Sequence, residues 1–389
     1  MRDEGRKVRR DNPRSGRACP PCVVLLTPPG RGAVATLLVE GPGAVEAVEA
    51  VFRAAGGQPL ASLPQDRLVF GHIGGPSGEE VVLRRRSPQS VELHCHGGLA
   101  AAAMVEKALS ERGCRPVAWQ DWAAQAIDDP IQSAALVALA EARTARTAAI
   151  LLDQYHGALR QAIQGIRHSL ETGDLQGARQ DIDRLLRRAS LGQHLTRPWQ
   201  VVLTGPPNVG KSSLVNALLG YPRAIVDPLA GTTRDVVTAT TALDGWPVEF
   251  SDTAGVRASE IPLEQAGMLL AEEQAAKADL VVVVLDTSRG RSAEQEGLVR
   301  GRPDALVVYN KRDLVADADP RAYPGLLTSA HSGEGILELA GAISRRLVPD
   351  PTNPGEAVPC TLPQIERIDK ASATLSGGDS AGALAFLGE

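Results

Sequence analysis

One octapeptide constrains this chain more than any other stretch: Gly205-Pro206-Pro207-Asn208-Val209-Gly210-Lys211-Ser212. It fits GxxxxGK followed by Ser or Thr, and it stands directly after the apolar run Val201–Leu203 and before a helix-forming stretch, Ser213–Leu219. That strand–loop–helix setting is the context in which the pattern has physical meaning. The glycines let main-chain N–H groups wrap a chain of phosphates, and the start of the following helix adds partial positive charge. Three more runs, Val248–Phe250, Leu280–Leu285 and Leu306–Tyr309, are continuously apolar rather than alternating. Such runs mark strands covered on both faces, so Trp199 to Val348 is expected to form a doubly wound α/β sheet.

The other chemistry-bearing residues fall after those strands and in the order a guanine nucleotide site requires. Lys211 is placed to contact the β- and γ-phosphates as a catalytic cation, and Ser212 to ligate Mg²⁺, with Asn208, Val209, Gly210 and Ser213 completing the phosphate loop. Asp252-Thr253-Ala254-Gly255 closes the second strand, where a carboxylate can hold the Mg²⁺ shell and the Gly255 N–H can sense a γ-phosphate. Asn310-Lys311-Arg312-Asp313 follows the last strand, and Asp313 can accept hydrogen bonds from N1–H and the 2-amino group of guanine, a pair that adenine lacks. Ser329 and Ala330 would bring main-chain N–H groups to guanine O6, and Thr232 and Thr233 lie in a Gly-Thr-Thr-Arg-Asp segment from which Thr233 can close over the metal. Any one of these is weak evidence; together they describe a GTP-binding module.

At 389 residues the chain is long enough for two to four domains, and 43% hydrophobic content supplies packed cores. Aromatics at 3% favour helices and parallel strands over a β-sandwich. A net charge of -5 argues against a general nucleic-acid binder. The longest apolar run, Leu280–Leu285, is far below the roughly 20 residues that span a bilayer, so no membrane association and a cytoplasmic location are expected. The expected layout is a disordered basic arm over 1–21, a small α+β domain over 22–117, the first part of a helical domain over 118–198, the sheet domain over 199–348, and a short helical segment over 349–389. In the α+β domain we expect strands at Val23–Leu26, Val34–Val39, Arg67–Ile73 and Val91–His94, with helices at Ala44–Ala54 and Ala100–Glu111. The five cysteines are scattered, and Cys19-Pro20-Pro21-Cys22 has no second pair to complete a zinc site. In His94-Cys95-His96 a strand turns both imidazoles to one face, so only two ligands converge.

Beyond these residues the chain resembles a known family. Asn208 in the phosphate loop, GTTRD, DTAG, NKRD and SAHSGEGI are similar to the GTPases of the Era, Der and MnmE (TrmE) families. Two segments outside that module, Thr27-Pro-Pro-Gly-Arg-Gly-Ala-Val34 and Val91-Glu-Leu-His-Cys-His-Gly-Gly98, resemble signature segments of the MnmE N-terminal domain. The resemblance covers roughly residues 22 to 385 and implies a K⁺-activated GTPase acting in modification of a tRNA wobble uridine. It implies K⁺ held by Asn208 with help from Asp227, Leu229 and Thr232, and Glu264 orienting the attacking water. It also implies a homodimer through the N-terminal domain, an MnmG-like flavoprotein partner, and indirect contact with tRNA.

Two departures shape a second expectation. The family's folate pocket uses an arginine where this chain has Leu38, and of its other anchors only Glu92 is recognisable, which argues against folate. The last residues, Ala-Leu-Ala-Phe-Leu-Gly-Glu389, lack the family's Cys-(Ile/Leu)-Gly-Lys tail. The alternative reading is therefore a divergent GTP switch for another RNA or ribosome-linked partner, without tRNA-modifying activity.

Overall fold

The strand Val34–Glu40 shows how the first unit is built. Ala35, Leu37 and Val39 alternate with their neighbours and face an apolar core. In this computed structural model the described residues are 20–28, 32–75, 78–220, 238–252, 275–289, 293–315, 321 and 323–388. They fall into two units, one ending at Asp128 and the other beginning at Asp129.

The first unit contains β1 (Cys22–Leu25), β2 (Val34–Glu40), α1 (Ala44–Val51), β3 (Phe52–Ala54), β4 (Leu68–Ile73), β5 (Glu79–Ser87), β6 (Ser90–His96), α2 (Leu99–Ser110), β7 (Arg115–Pro116) and α3 (Trp119–Ala126). The sheet order is β3-β4-β5-β6-β2-β1-β7, antiparallel except where β1 meets β7. Val48 of α1 and Val105 and Leu109 of α2 pack on Val23, Leu37 and Leu93 of the sheet. The helix expected over Ala44–Ala54 stops at Val51, because Phe52–Ala54 pairs with β4 instead. Gly71 admits that pairing: a Cβ there would collide with the Arg53 carbonyl and the Phe52 ring. Strand β5 was not among the expected strands, since Glu-Glu-Val-Val-Leu-Arg-Arg-Arg-Ser is dominated by charge. Only Val81 and Leu83 reach the core, while Arg84 pairs with Asp66 and Arg85 donates to the carbonyls of Ala61 and Leu63. Helix α3 belongs with this unit, and Trp122 Nε1 donates to Glu40 Oε2 at 2.7 Å.

The second unit opens with α4 (Pro130–Ala140), α5 (Ala145–Tyr155), α6 (Ala158–Thr172), α7 (Leu175–Arg187) and α8 (Ala189–Gln193). Gly173, left-handed at φ 84°, makes the break between α6 and α7. There follow β8 (Trp199–Thr204), α9 (Lys211–Leu219), β9 (Thr238–Leu243), β10 (Trp246–Asp252), β11 (Leu280–Asp286), α10 (Ala293–Arg300), β12 (Leu306–Asn310), β13 (Leu326–Leu327) and α11 (Ile336–Leu347). The sheet order is β13-β12-β11-β8-β10-β9. It is parallel except for β9, which runs antiparallel to β10, so the sheet is mixed rather than purely parallel. Asp244 and Gly245 have φ of 48° and 80°. That Asp-Gly pair makes the tight two-residue turn that matches strand twist, and it dictates the antiparallel edge.

The chain ends in two helices, α12 (Leu362–Ser376) and α13 (Ser380–Leu387), where one helical series had been expected. Thr361 and Gln364 form a capping box at the first, and Asp379 caps the second. Ile368, Ala371, Leu375 and Leu387 pack against Leu159, Ile166, Ile182 and Leu185 of α6 and α7. This helical core is thus assembled from stretches that precede and follow the sheet strands in sequence. Among the described residues no helix is long and apolar enough to cross a membrane. Ile368 is 1% exposed and Leu362 57%. Ile368→Ala should therefore cost about 2–5 kcal/mol in urea denaturation, whereas Leu362→Ala should stay within about 0.5 kcal/mol.

Candidate functional site

Parallel pairing brings the carboxyl ends of β8, β10, β11 and β12 to one edge of the sheet. Asp252 stands in register with Leu203, Val283 with Thr204, and Asp286 with Asn310. The phosphate loop leaves β8 at Gly205, so it emerges beside the residues that end the neighbouring strands. Gly205 has φ 141°, and a Cβ there would strike the Val284 carbonyl. Gly210, at φ 92°, caps α9, and a Cβ there would strike the Asn310 side chain. Asn208 between them is also left-handed, at φ 62°. Val209 is sunk into the core below the loop. Lys211 is only 7% exposed, and its Nζ donates to the carbonyls of Gly205 and Pro206, both at 2.9 Å. A buried ammonium has to be paired, and this pairing lays it along the loop. Ser212 and Ser213 are exposed on the first turn of α9.

Asn310 joins this loop to the second half of the site. Its side chain is 2% exposed; Nδ2 donates to the Val209 carbonyl at 2.9 Å, and Oδ1 accepts from the Ala330 N–H at 3.1 Å and the Thr328 hydroxyl at 3.3 Å. Ser329 Oγ donates to Asp313 Oδ1 at 2.5 Å and accepts from the Ser332 N–H at 3.1 Å. The structure therefore brings Asn310, Asp313, Ser329 and Ala330 together, with Val209 of the phosphate loop tied to them. Lys311, left-handed at φ 66°, reaches back to Asp286 Oδ2 at 2.8 Å.

Asp286 was missed in the sequence, although an acid closing a long apolar strand before Thr287-Ser288 is a usable signal. Its Oδ1 accepts from the Ser288 N–H at 2.9 Å and the Ser288 hydroxyl at 2.6 Å. Burial works to raise its pKa, but the Lys311 ammonium and the two Ser288 donors outweigh it and hold the carboxyl below its ordinary value. Asp252 ends β10 as expected. Asp227, Leu229, Thr232, Thr233, Thr253, Ala254, Gly255 and Glu264 lie outside the described residues, as do Cys19 and most of the basic arm.

In the first unit the two signature segments meet. Thr27, Val34, Gly97 and Leu99 help line a cavity of about 240 Å³, and a Cβ on Gly97 would strike the Gly32 carbonyl. His94 Nδ1 lies 3.0 Å from Thr36 Oγ1, and His96 Nδ1 lies 2.7 Å from Glu79 Oε1. Among the described residues no group of three or more His, Cys, Asp or Glu side chains is arranged to hold a metal ion.

The family model described as "50S ribosome-binding GTPase" matches residues 200–311. Over about four fifths of its length the chain is similar to proteins named tRNA modification GTPase MnmE. The protein from Synechococcus sp. (strain RCC307) is 34% identical over 81% of this chain and 78% of its own. The one from Heliobacterium modesticaldum is 32% identical over 83% and 80%. The chain belongs to the MnmE family. Among solved structures it is similar to Aquifex aeolicus Era bound to GDP and AlF4⁻, at 26% identity over 44% of this chain and 66% of that one, with a TM-score of 0.31. Family membership rests on the two relatives, which match this chain far beyond the GTPase module.

The depressed pKa of Asp286 has a sign that can be measured. Its ion pair with Lys311 contributes stability above the unfolded Asp value of about 3.9 and loses it as pH falls through the lower folded value. Asp286→Asn should be less stable than the parent in urea at pH 7, and the gap should narrow steadily below about pH 4. A gap of equal size at pH 7 and pH 3 would assign the effect to packing.

Proposed function

We propose that this chain binds and hydrolyses GTP in the service of tRNA modification, as the MnmE relatives are named for. The observation that carries the reading is the buried Asn310 side chain, which ties the phosphate loop through Val209 to Thr328 and Ala330, on either side of Ser329. In this reading Asp313 accepts from guanine N1–H and the 2-amino group, steered by the Ser329 hydroxyl, while the N–H of Ala330, which here donates to Asn310 Oδ1, would turn towards O6. The main-chain N–H groups from Asn208 to Ser213 bind the phosphates, and Lys211 leaves its loop carbonyls for the β- and γ-oxygens. Ser212 and Thr233 would hold Mg²⁺, which neutralises charge on the transferred phosphoryl group. Asp252 would help to hold that metal, and Thr253, Ala254 and Gly255 would contact the γ-phosphate. Glu264 positions the attacking water. Asn208, with Asp227, Leu229 and Thr232, is assigned to K⁺.

The wider assignment is a cytoplasmic protein, dimeric through its N-terminal α+β domain, with an MnmG-like flavoprotein as partner and tRNA as the object modified. An N-terminal domain, a helical domain divided in sequence and a GTPase domain make up the proposed layout. Folate fits this chain poorly. Leu38 is 1% exposed on β2, in register with Val24 and Glu92, and offers no cation to a folate carboxylate. No step is assigned to folate, and that residue is what favours the second reading, a GTP switch serving another RNA or ribosome-linked partner.

Two experiments test the GTP site. Asp313→Asn turns an acceptor into a donor where guanine also donates, so binding of labelled GDP should weaken and xanthine nucleotides should gain. Unchanged guanine preference would remove Asp313 from the base site. GTP turnover should also be faster in KCl than in NaCl at equal ionic strength, and Asn208→Ala should abolish the difference; equal rates in the parent would withdraw the K⁺ assignment.

A further inference from the structure

The corner where α4 passes into α5 grips the tip of the β9–β10 hairpin at three consecutive residues. Arg146 Nη1 donates to the Asp244 carbonyl at 2.8 Å, and Thr144 Oγ1 donates to the Gly245 carbonyl at 2.6 Å. The Arg146 guanidinium carbon lies 4.3 Å from the centroid of the Trp246 ring, within cation–π range. The Arg146 stem rests against Gly245, where a Cβ would approach its own Cβ to 3.0 Å. Thr144 is also the N-cap of α5, in a capping box with Thr147, so the hydroxyl that holds the hairpin also starts the helix. Trp246 is buried in the same core as Ile150 and Leu151 of α5 and Val209 of the phosphate loop.

The hairpin is not an ordinary surface ribbon, because of what its two ends carry. Gly231–Asp235 precedes β9 in sequence, and β10 runs directly into Asp252. Strand β10 lies alongside β8, with Asp252 in register with Leu203 just before the phosphate loop. A paired strand with one buried face resists slipping along its neighbour, so displacement at one end of β10 is transmitted to the other. The grip at Asp244–Trp246 thus adds a second anchor, at the far end, to the strand whose last residue, Asp252, is set by pairing with β8. The same connection works in reverse, since coupling between two sites is reciprocal.

We propose that Thr144 and Arg146 are positioning residues for GTP hydrolysis, and that through them the α4–α5 corner registers which nucleotide is bound. This inference rests on the GTPase reading above. The expected consequence of releasing the grip is slower turnover with little change in substrate affinity, because neither residue is part of the nucleotide site itself.

The test uses the full chain with Mg²⁺ and KCl. Amide hydrogen exchange of residues 141–150 is compared between GDP and GDP with aluminium fluoride, beside steady-state GTP hydrolysis by Arg146→Ala, Arg146→Lys and Thr144→Ser. The expected results are exchange that differs between the two nucleotide states in the parent and no longer differs in Arg146→Ala. Turnover in Arg146→Ala should fall about 2- to 30-fold with KM unchanged. Arg146→Lys keeps a cation over Trp246, Thr144→Ser keeps the hydroxyl, and both should recover most of the rate. A purely structural contact would lower the thermal midpoint without a nucleotide-dependent exchange difference. If the parent hydrolyses GTP while exchange at 141–150 is the same in both states and Arg146→Ala turns over at the parental rate, the proposal is overturned. A parent chain that neither binds nor hydrolyses GTP overturns the underlying reading and this one with it, a result the parent alone reveals.

Discussion

The nucleotide site depends on a side-chain amide placed where water cannot replace it. Asn310 ends β12 inside the protein and satisfies three partners at once, the Val209 carbonyl, the Ala330 N–H and the Thr328 hydroxyl. A buried donor or acceptor left unpaired costs about 1–3 kcal/mol, so these loops are held together by the penalty for separating them. The amide also explains its surroundings. Gly210 has no side chain because Asn310 occupies the space one would need. Thr328 and Ser329 are fully buried because their loop folds back over β12, with Arg312 N–H donating to the Thr328 carbonyl at 3.0 Å. Lys311, turned left-handed directly after Asn310, is thereby aimed at Asp286 rather than at solvent.

The opposite ends of the same strands are anchored as deliberately. At the start of β8, His194 stacks on Trp199 with ring centroids 3.6 Å apart, and its Nε2 lies 3.2 Å from Asp279 Oδ2. Asp279 also accepts from the Gln200 N–H at 2.7 Å. Burial tends to raise its pKa, but His194 and the Gln200 N–H outweigh that and keep it below the ordinary Asp value. The strand β11 thus has a paired acid just before its first residue and another at its last. While α6, α7, α12 and α13 close over a core of their own, the sheet is held at its base, along its hairpin and by Ile150 and Leu151 of α5 and Leu191 of α8, which share its core. A phosphate loop works by preorganised N–H groups, and this scaffold is what keeps them preorganised.

Legibility in the sequence followed the physics of each element. The phosphate loop, the strand ends and the grouping of Asn310, Asp313, Ser329 and Ala330 were readable because each needs a particular residue at a particular place. Gly205 and Gly210 need a missing Cβ, and Asn310 needs an amide of that length. The covered strands β8, β11 and β12 were readable because burial on both faces leaves a continuous apolar run. Strand β5 was not, because its outward residues are arginines whose partners, Asp66 and the Ala61 and Leu63 carbonyls, lie far away in sequence. The end of α1 failed for a similar reason: Phe52–Ala54 is strand only because β4 offers it an edge. The antiparallel edge of the second sheet was written in Asp244-Gly245, a hairpin signal that the surrounding α/β pattern had overshadowed. Residues such as Asp286 and Arg146 stayed hidden because their roles consist of contacts across the fold.

The cysteines sharpen where chemistry can and cannot reside. A thiol acts as nucleophile or metal ligand in its deprotonated form. Burial pushes the pKa of all four described cysteines up, with Glu40 adding to the effect at Cys22, Glu79 at Cys95 and the neighbouring Cys22 at Cys114. Cys360, deep beneath the start of α12, is pushed up to about 11. At neutral pH these sulfurs are small apolar groups: Cys95 and Cys114 belong to the core of the first unit and Cys360 to that of the second. At one edge of the second sheet, by contrast, charged and polar groups are paired rather than hidden: Lys211 by the Gly205 and Pro206 carbonyls, Lys311 by Asp286, and Asp313 by the Ser329 hydroxyl.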